Sequence, residues 1–233
     1  MKTSEKLVEG RTKILYKSEQ EGQLLMEFLD TLPLDTPRKT SLKGKGAINA
    51  EITSYVFEYL HSYNVPTHFI KRPSDKILQV KKLQMIPLQM LIWNIATSNL
   101  SKRLGIAEGT VLETPVIEFY LKDAKLKNPM INDYHAFALG LCDRNDMGAI
   151  IRIGTKTNAV LRSYFQRKNL SLVNFTLEFG KLGNQVMIGD EISPDTFSIW
   201  GLSSEGKLDK KSYIIGSENA KQVYHKLQEI FLK

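Results

Sequence analysis

The period of the hydrophobic pattern changes along this chain, and that change limits the fold more than any single residue does. From Ala47 to Tyr63, AINAEITSYVFEYLHSY puts Ile48, Ile52, Tyr55, Val56, Tyr59 and Leu60 on one helical face. On both sides of it the runs are short and bounded by turn residues, as strands are. EKLVEG, TKILYKS and QLLMEFLD come before the helix, separated by Gly10 and the EQEGQ turn, and THFIKR, KILQVKKL and LQMLIWN follow it. PVIEFYLK then alternates like another strand. SNLSKRLGI reads as a short helix capped by Ser98 or Asn99. DRNDMGAIIRIGTKTNAVLRSYFQRKN reads as largely helical, with Gly148 and Gly154 as weak points. LSLVNFTLEFG and QVMIGDE form a hairpin around Lys181–Asn184, and the last stretch places Val223, Leu227, Ile230 and Phe231 on one helical face. Antiparallel strands mixed with helices predict an α+β fold. A join near KKLQMIP divides it into a small β-rich lobe, residues 1–84, and a larger α/β lobe, residues 85–233.

Composition narrows the function classes. The 233 residues carry a net charge of +7, with the lysines spread along the chain rather than gathered in a stripe. With no RNA-recognition, zinc-finger or basic-zipper signature, that charge points to anionic small molecules and away from nucleic acid. No apolar run reaches the roughly 18–20 residues needed to span a bilayer, and MKTSEKLVEGRTK lacks the apolar core of a signal peptide. A single cysteine, Cys142, excludes an internal disulfide and fits a reducing, cytoplasmic setting. The four histidines show no metal-ligand spacing.

Two stretches carry candidate chemistry. In EGRTKILY, Gly10 makes a turn, and Arg11 and Lys13 alternate into a strand, which puts both cations on one face. Such a turn can hold a polyphosphate, or it can be a solvated edge strand. In LEFG…GDEISPD, Glu178, Asp190, Glu191 and Asp195 crowd the ends of a hairpin. Carboxylates so placed hold Mg²⁺ or form a polar loop. Simple pairing around the turn sets Glu178 opposite Met187, so bringing Asp190 to the same ion requires a bulge or a shifted register.

EGRTKILY, KGKGAIN, VKKLQMIP, LSKRLGI, LKDAKLKNPMIN, LEFG and GDEISPD…W occur in this order. The set resembles the SAICAR synthetase family over nearly the whole chain. The resemblance implies a β-rich N-terminal lobe and a larger α/β lobe with ATP in the cleft between them. It implies an ATP- and Mg²⁺-dependent ligase that joins a substrate carboxylate to an amine, aspartate in the family, through an acyl phosphate. Relatives are often homo-oligomers. Carried over by position, Gly10, Arg11 and Lys13 would hold ATP phosphates, and Lys81, Lys82 and Met85 would border the nucleotide. Glu178 and Asp190 would bind Mg²⁺. Lys122 would stabilise the transferred phosphoryl group, so that Lys13, Lys122, Glu178 and Asp190 make the catalytic set.

The acceptor side departs from the pattern. Where the family reads P-x-E-x-V-V-R-N-x-x-x-G-S-L, this chain reads PLQMLIWNIATSNL. Gln89 replaces a glutamate, Trp93 an arginine, and Ser98-Asn99 a Gly-Ser pair. Ser198 replaces a second arginine, and Asn128 an aspartate. In the family both arginines and the serine hold the ribonucleotide phosphate, a task suited to a planar guanidinium. The substrate wall would therefore consist of Gln89, Trp93, Asn94, Asn99, Lys102, Arg103, Asn128, Asp195 and Ser198. A loss confined to this side predicts a carboxylate without a ribose phosphate, used in a specialised biosynthetic pathway. Two alternatives stay open: a SAICAR synthetase joining CAIR and aspartate through rearranged phosphate contacts, and an inactive ATP-binding scaffold. Trp93 itself reads either as a substrate contact or as a core-filling side chain.

Overall fold

A computed structural model describes residues 5–33, 40–203, 207–210, 212–216 and 218–232. Residues 34–39, between QLLMEFLD and the first helix, lie outside the described residues. The chain forms two compact units. The first comprises Met1–Leu83, Glu191–Asp195 and Ile214–Lys233, and the second Gln84–Asp190 and Thr196–Tyr213. Among the described residues no helix is long and apolar enough to cross a membrane.

The first unit holds strands β1 (Lys6–Glu9), β2 (Lys13–Lys17), β3 (Gln23–Phe28), β4 (Phe69–Ser74) and β5 (Ile77–Lys81). They make an antiparallel sheet in the order β1-β2-β3-β5-β4. Helix α1 (Lys45–Ser62) packs on β3, β4 and β5, and α5 (Ala220–Leu232) packs on α1. Ile52, Val56, Phe57 and Leu60 of α1 are buried with Met26, Phe28, Leu78 and Val80 of the sheet. At the start of α1, a Cβ on Gly46 would lie 2.3 Å from the Phe28 carbonyl oxygen. Only glycine lets the helix come so close to β3.

The second unit is built on β6 (Gln84–Ile95), α2 (Ser98–Leu104), β7 (Val111–Leu121), β8 (Met130–Ile131), α3 (Asp133–Ala138), α4 (Arg144–Gln166), β9 (Leu170–Leu182), β10 (Gln185–Gly189), β11 (Phe197–Leu202) and β12 (Leu208–Asp209). Its sheet runs β12-β11-β9-β6-β7-β8, and β10 also pairs with β9. Helix α4 covers one face, against β6, β9 and β10. It starts with a capping box between Asp143 and Asp146 and runs unbroken through Gly148 and Gly154. A Cβ on Gly154 would lie 2.3 Å from the Met90 sulphur, so this glycine permits close packing rather than weakening the helix. A further expectation changes here. The N-cap of α2 is Thr97, with no side-chain cap bond. Strands β8, β11 and β12 and helix α3 had no clear signature in the hydrophobic pattern.

Candidate active site

In the second unit, the sheet face opposite α4 gathers much of the expected acceptor side. Side chains alternate along a strand, and register partners share a face. Tyr120, Gln89 and Glu178 form one row across β7, β6 and β9. Glu118, Leu91 and Thr176 form the next. Val116, Trp93 and Asn174 form the third, and Ser198 of β11 extends it. Gln89, Trp93 and Ser198 therefore lie on the same face as Glu178. Asn94 does not, because it points the other way. Its buried amide exchanges hydrogen bonds with Asn158 of α4, at 2.8 and 2.9 Å.

Trp93 is buried, 8% exposed, and packs with Ala96 and Leu100 beneath α2. Its indole N–H donates to Glu118 Oε2 at 3.0 Å. Tyr120 donates its hydroxyl to the same oxygen at 2.9 Å, and Arg103 donates to Oε1. Burial first, then Glu118, pushes the Tyr120 hydroxyl pKa up. The bond to Glu118 likewise raises that of the Arg103 guanidinium. Glu118 and Tyr120 were missed in the sequence. Their only signal was an acidic residue among the apolar positions of PVIEFYL.

Lys122 follows β7, and its ammonium is ion-paired with Glu178. The β9–β10 register differs from the expected one. Leu182 pairs with Gln185, which leaves a two-residue loop, and Glu178 faces Gly189 instead of Met187. Gly183 takes φ 60° at the first loop position, a conformation that glycine adopts without strain. Asp190 follows directly after the partner of Glu178, so no bulge is needed to bring it to that end of the hairpin. Asp190 itself sits at φ 56°, a left-handed conformation that aspartate tolerates better than most residues.

In the first unit, Gly10 donates its N–H to the Lys13 carbonyl and closes the turn between β1 and β2. Arg11 sits in that bend, exposed, and only Lys13 enters β2. Strand alternation therefore does not pair the two cations as expected. The Lys13 ammonium donates to Glu191 Oε1 at 2.5 Å, and Ser193 donates to the other oxygen. Lys45, two residues ahead of the expected helix start, belongs to α1 and is buried against Asp195. Tyr224 of α5 donates to the same carboxylate. Burial first, and then Asp195, raises the Tyr224 hydroxyl pKa far above its ordinary value. Asp195 is thus held in the interior of this unit. Thr53 adds a bond to the Ile192 carbonyl.

The remaining expected residues are dispersed. Lys81 ends β5, and Lys82 is exposed and donates its N–H to the Gly22 carbonyl. Met85 is 44% exposed and lines a cavity of about 570 Å³ in the second unit, with Phe137, Leu141, Cys142, Asp143 and Lys181. Lys181 bonds Asp146 there, which raises its ammonium pKa. Asn99 and Lys102 are exposed on α2. Asn128 lies at φ 47° in the turn before β8, where its N–H reaches the Asp123 carbonyl.

A sequence model of the family described as SAICAR synthetase matches residues 6–230. The phosphoribosylaminoimidazole-succinocarboxamide synthase of Desulfitobacterium hafniense is 37% identical over 99% of both chains. That of a Nitratiruptor species is 40% identical over 97% of this chain and 96% of its own. A solved structure of a type-2 SAICAR synthetase in complex with ADP superposes with a TM-score of 0.88, at 35% identity over 97% of each chain. Near full-length identity at this level, on the same two-sheet architecture, makes the chain a member of the SAICAR synthetase family of ATP-dependent carbon–nitrogen ligases.

Proposed function

We propose that this chain joins the carboxylate of carboxyaminoimidazole ribonucleotide (CAIR) to the amine of aspartate, using ATP. The likeness to curated synthases over almost the whole chain carries this reading. It replaces the expectation of a carboxylate without ribose phosphate in a specialised pathway, which that likeness overturns. The expectation took Trp93 as a substrate contact. Its ring instead fills core space beneath α2, and its N–H holds Glu118. A change at position 93 is therefore no measure of what the wall binds. The reading as an inactive scaffold falls with the same finding.

The chemistry follows from the poor electrophilicity of a carboxylate. Transfer of the γ-phosphoryl group to a carboxylate oxygen of CAIR gives an acyl phosphate and ADP. The aspartate amine then forms the C–N bond and gives up its proton. The C–O bond to phosphate breaks, and its electron pair leaves with phosphate. Little of this is acid–base work for the protein, whose part is positioning and charge neutralisation. Lys122 supplies a cation on the sheet face for the transferred group, and Lys13 and Arg11 supply cations for the nucleotide phosphates. Gln89 lies between Tyr120 and Glu178 and is placed to orient a substrate over that row.

Two carboxylates, Glu178 and Asp190, stand at the same end of one hairpin. This donor set fits Mg²⁺, which takes one or two carboxylates and leaves its other positions to phosphate oxygens and water. No group of three or more His, Cys, Asp or Glu side chains gathers as a metal cage among the described residues. When bound, Mg²⁺ neutralises phosphate charge. Purified protein given CAIR, aspartate and Mg-ATP should form one amide, one ADP and one phosphate per turnover. With ¹⁸O in the CAIR carboxylate, the label should appear in phosphate. Lack of amide product, or unlabelled phosphate, would contradict the reading.

A further inference from the structure

The wall of the second unit has a cation at each end. Lys122 lies beside Glu178, and Arg103 lies on Glu118. Glu178 and Glu118 stand two strands and two residues apart on the same face. That separates their Cα atoms by about 12 Å, from strand spacings of about 4.8 Å and a rise of about 3.4 Å per residue. A ribose and a five-membered base fit such a span. A phosphoribosyl carboxylate with its reacting end at Glu178 and Lys122 would place its phosphate toward Arg103.

Arg103 is built to stay where it is. Its side chain is 31% exposed, so it is open to a ligand. Its guanidinium carries five N–H donors, more than Glu118, Tyr120 and the Met130 sulphur take up. Glu118 is buried and fixed in turn by Trp93 and Tyr120. An arginine that leaves the free protein already oriented loses less entropy on binding an anion. Lys102 and Asn99, on the same helix, have no comparable anchor among the described bonds.

Resting on the proposed function, we infer that Arg103 recognises the phosphate of the phosphoribosyl substrate, and that Glu118 and Trp93 are positioning residues that hold its guanidinium in place. Trp93 then has a definite task. It buries and orients the carboxylate that orients Arg103.

The test compares CAIR with the corresponding nucleoside, which lacks the phosphate, in steady-state assays at saturating aspartate and Mg-ATP. Arg103→Ala should raise KM for CAIR roughly 100-fold while kcat stays within about threefold, the pattern of lost uniform binding. KM for aspartate and for ATP should not move. With the nucleoside, the variant and the unaltered protein should have equal kcat/KM. Arg103→Lys keeps the charge without the fork, and should raise KM for CAIR about tenfold. It also secures the comparison if the alanine variant folds poorly. Trp93→Phe and Glu118→Gln should raise KM for CAIR by smaller factors and leave the nucleoside unaffected. An unchanged KM for CAIR in Arg103→Ala and Arg103→Lys, or an equal loss with the nucleoside, would overturn the inference while the function stands. Absence of CAIR turnover by the unaltered protein would overturn the function and this inference together.

Discussion

Two lysine–carboxylate pairs, one from each unit, live in opposite surroundings. Lys45 and Asp195 in the first unit have side chains only 1% and 4% exposed, and Tyr224 closes the carboxylate. Lys122 and Glu178 in the second are 44% and 12% exposed. A buried pair has no water to fall back on, so neither partner can be exchanged for a ligand. An open pair is held weakly in solvent and can trade its partner for a phosphate oxygen or a cation. The same ion-pair chemistry thus serves the interior in one unit and, under the proposed function, the reaction in the other. Sequence alone does not separate the two uses, because lysine and carboxylate read alike in both.

Mutation can break this contrast. Asp195→Ala leaves Lys45 charged and buried without its partner, and should destabilise the protein by about 3–5 kcal/mol in denaturant unfolding. Loss of less than about 1 kcal/mol would show that the buried pair is no staple. Glu178→Ala should do the reverse. Its melting curve should stay close to that of the unaltered protein, while kcat falls by about 10²–10³, the scale of losing one electrostatic stabiliser. A large stability loss with activity retained would merge the two pairs into one class.

Smaller effects are expected elsewhere in both units. Within the second unit, the α4 side of the sheet should tolerate less than the open wall. Gly154→Ala places a methyl on the Met90 sulphur and should cost about 1–3 kcal/mol in thermal or denaturant unfolding. Asp30 is an intermediate case. It accepts from the Gly46 N–H and from Lys76, each at 2.9 Å. Burial works to raise its pKa, but the bonds from Gly46, Lys76 and Gly44 outweigh burial and hold it below the ordinary carboxylate value. A lowered folded pKa means that its stabilisation is present above the unfolded value and is lost as the pH falls through the folded one. Asp30→Asn should therefore flatten the acid limb of the stability profile below about pH 4, and should cost about 1 kcal/mol at neutral pH. An unchanged acid limb would contradict the assignment.

The long periodic segments were legible without coordinates. The apolar stripes of α1 and α5 and the β9–β10 hairpin follow from spacing alone, because burial of one face is what spacing encodes. The register of that hairpin was not legible. It depends on which two residues make the loop, and Gly183 in a left-handed conformation decides the matter. Facing was legible for Gln89, Trp93 and Ser198 only after the strands were paired. Asn94 went astray because a motif groups neighbours that a strand sends to opposite faces. Lys45 and Glu118 were hidden for a related reason. Their partners, Asp195 and Arg103, lie 150 and 15 residues away, and no local pattern links them. Strands β8 and β12, two residues each, are too short to show a period.

Under the proposed function, Trp93 is a structural support on a wall that still reads a ribonucleotide. The most direct measurement is kcat/KM of the unaltered protein for CAIR, with aspartate and Mg-ATP saturating. The expected value lies in the ordinary enzymatic range, about 10⁴ M⁻¹s⁻¹ or above. Product formation no faster than in the absence of protein would contradict it.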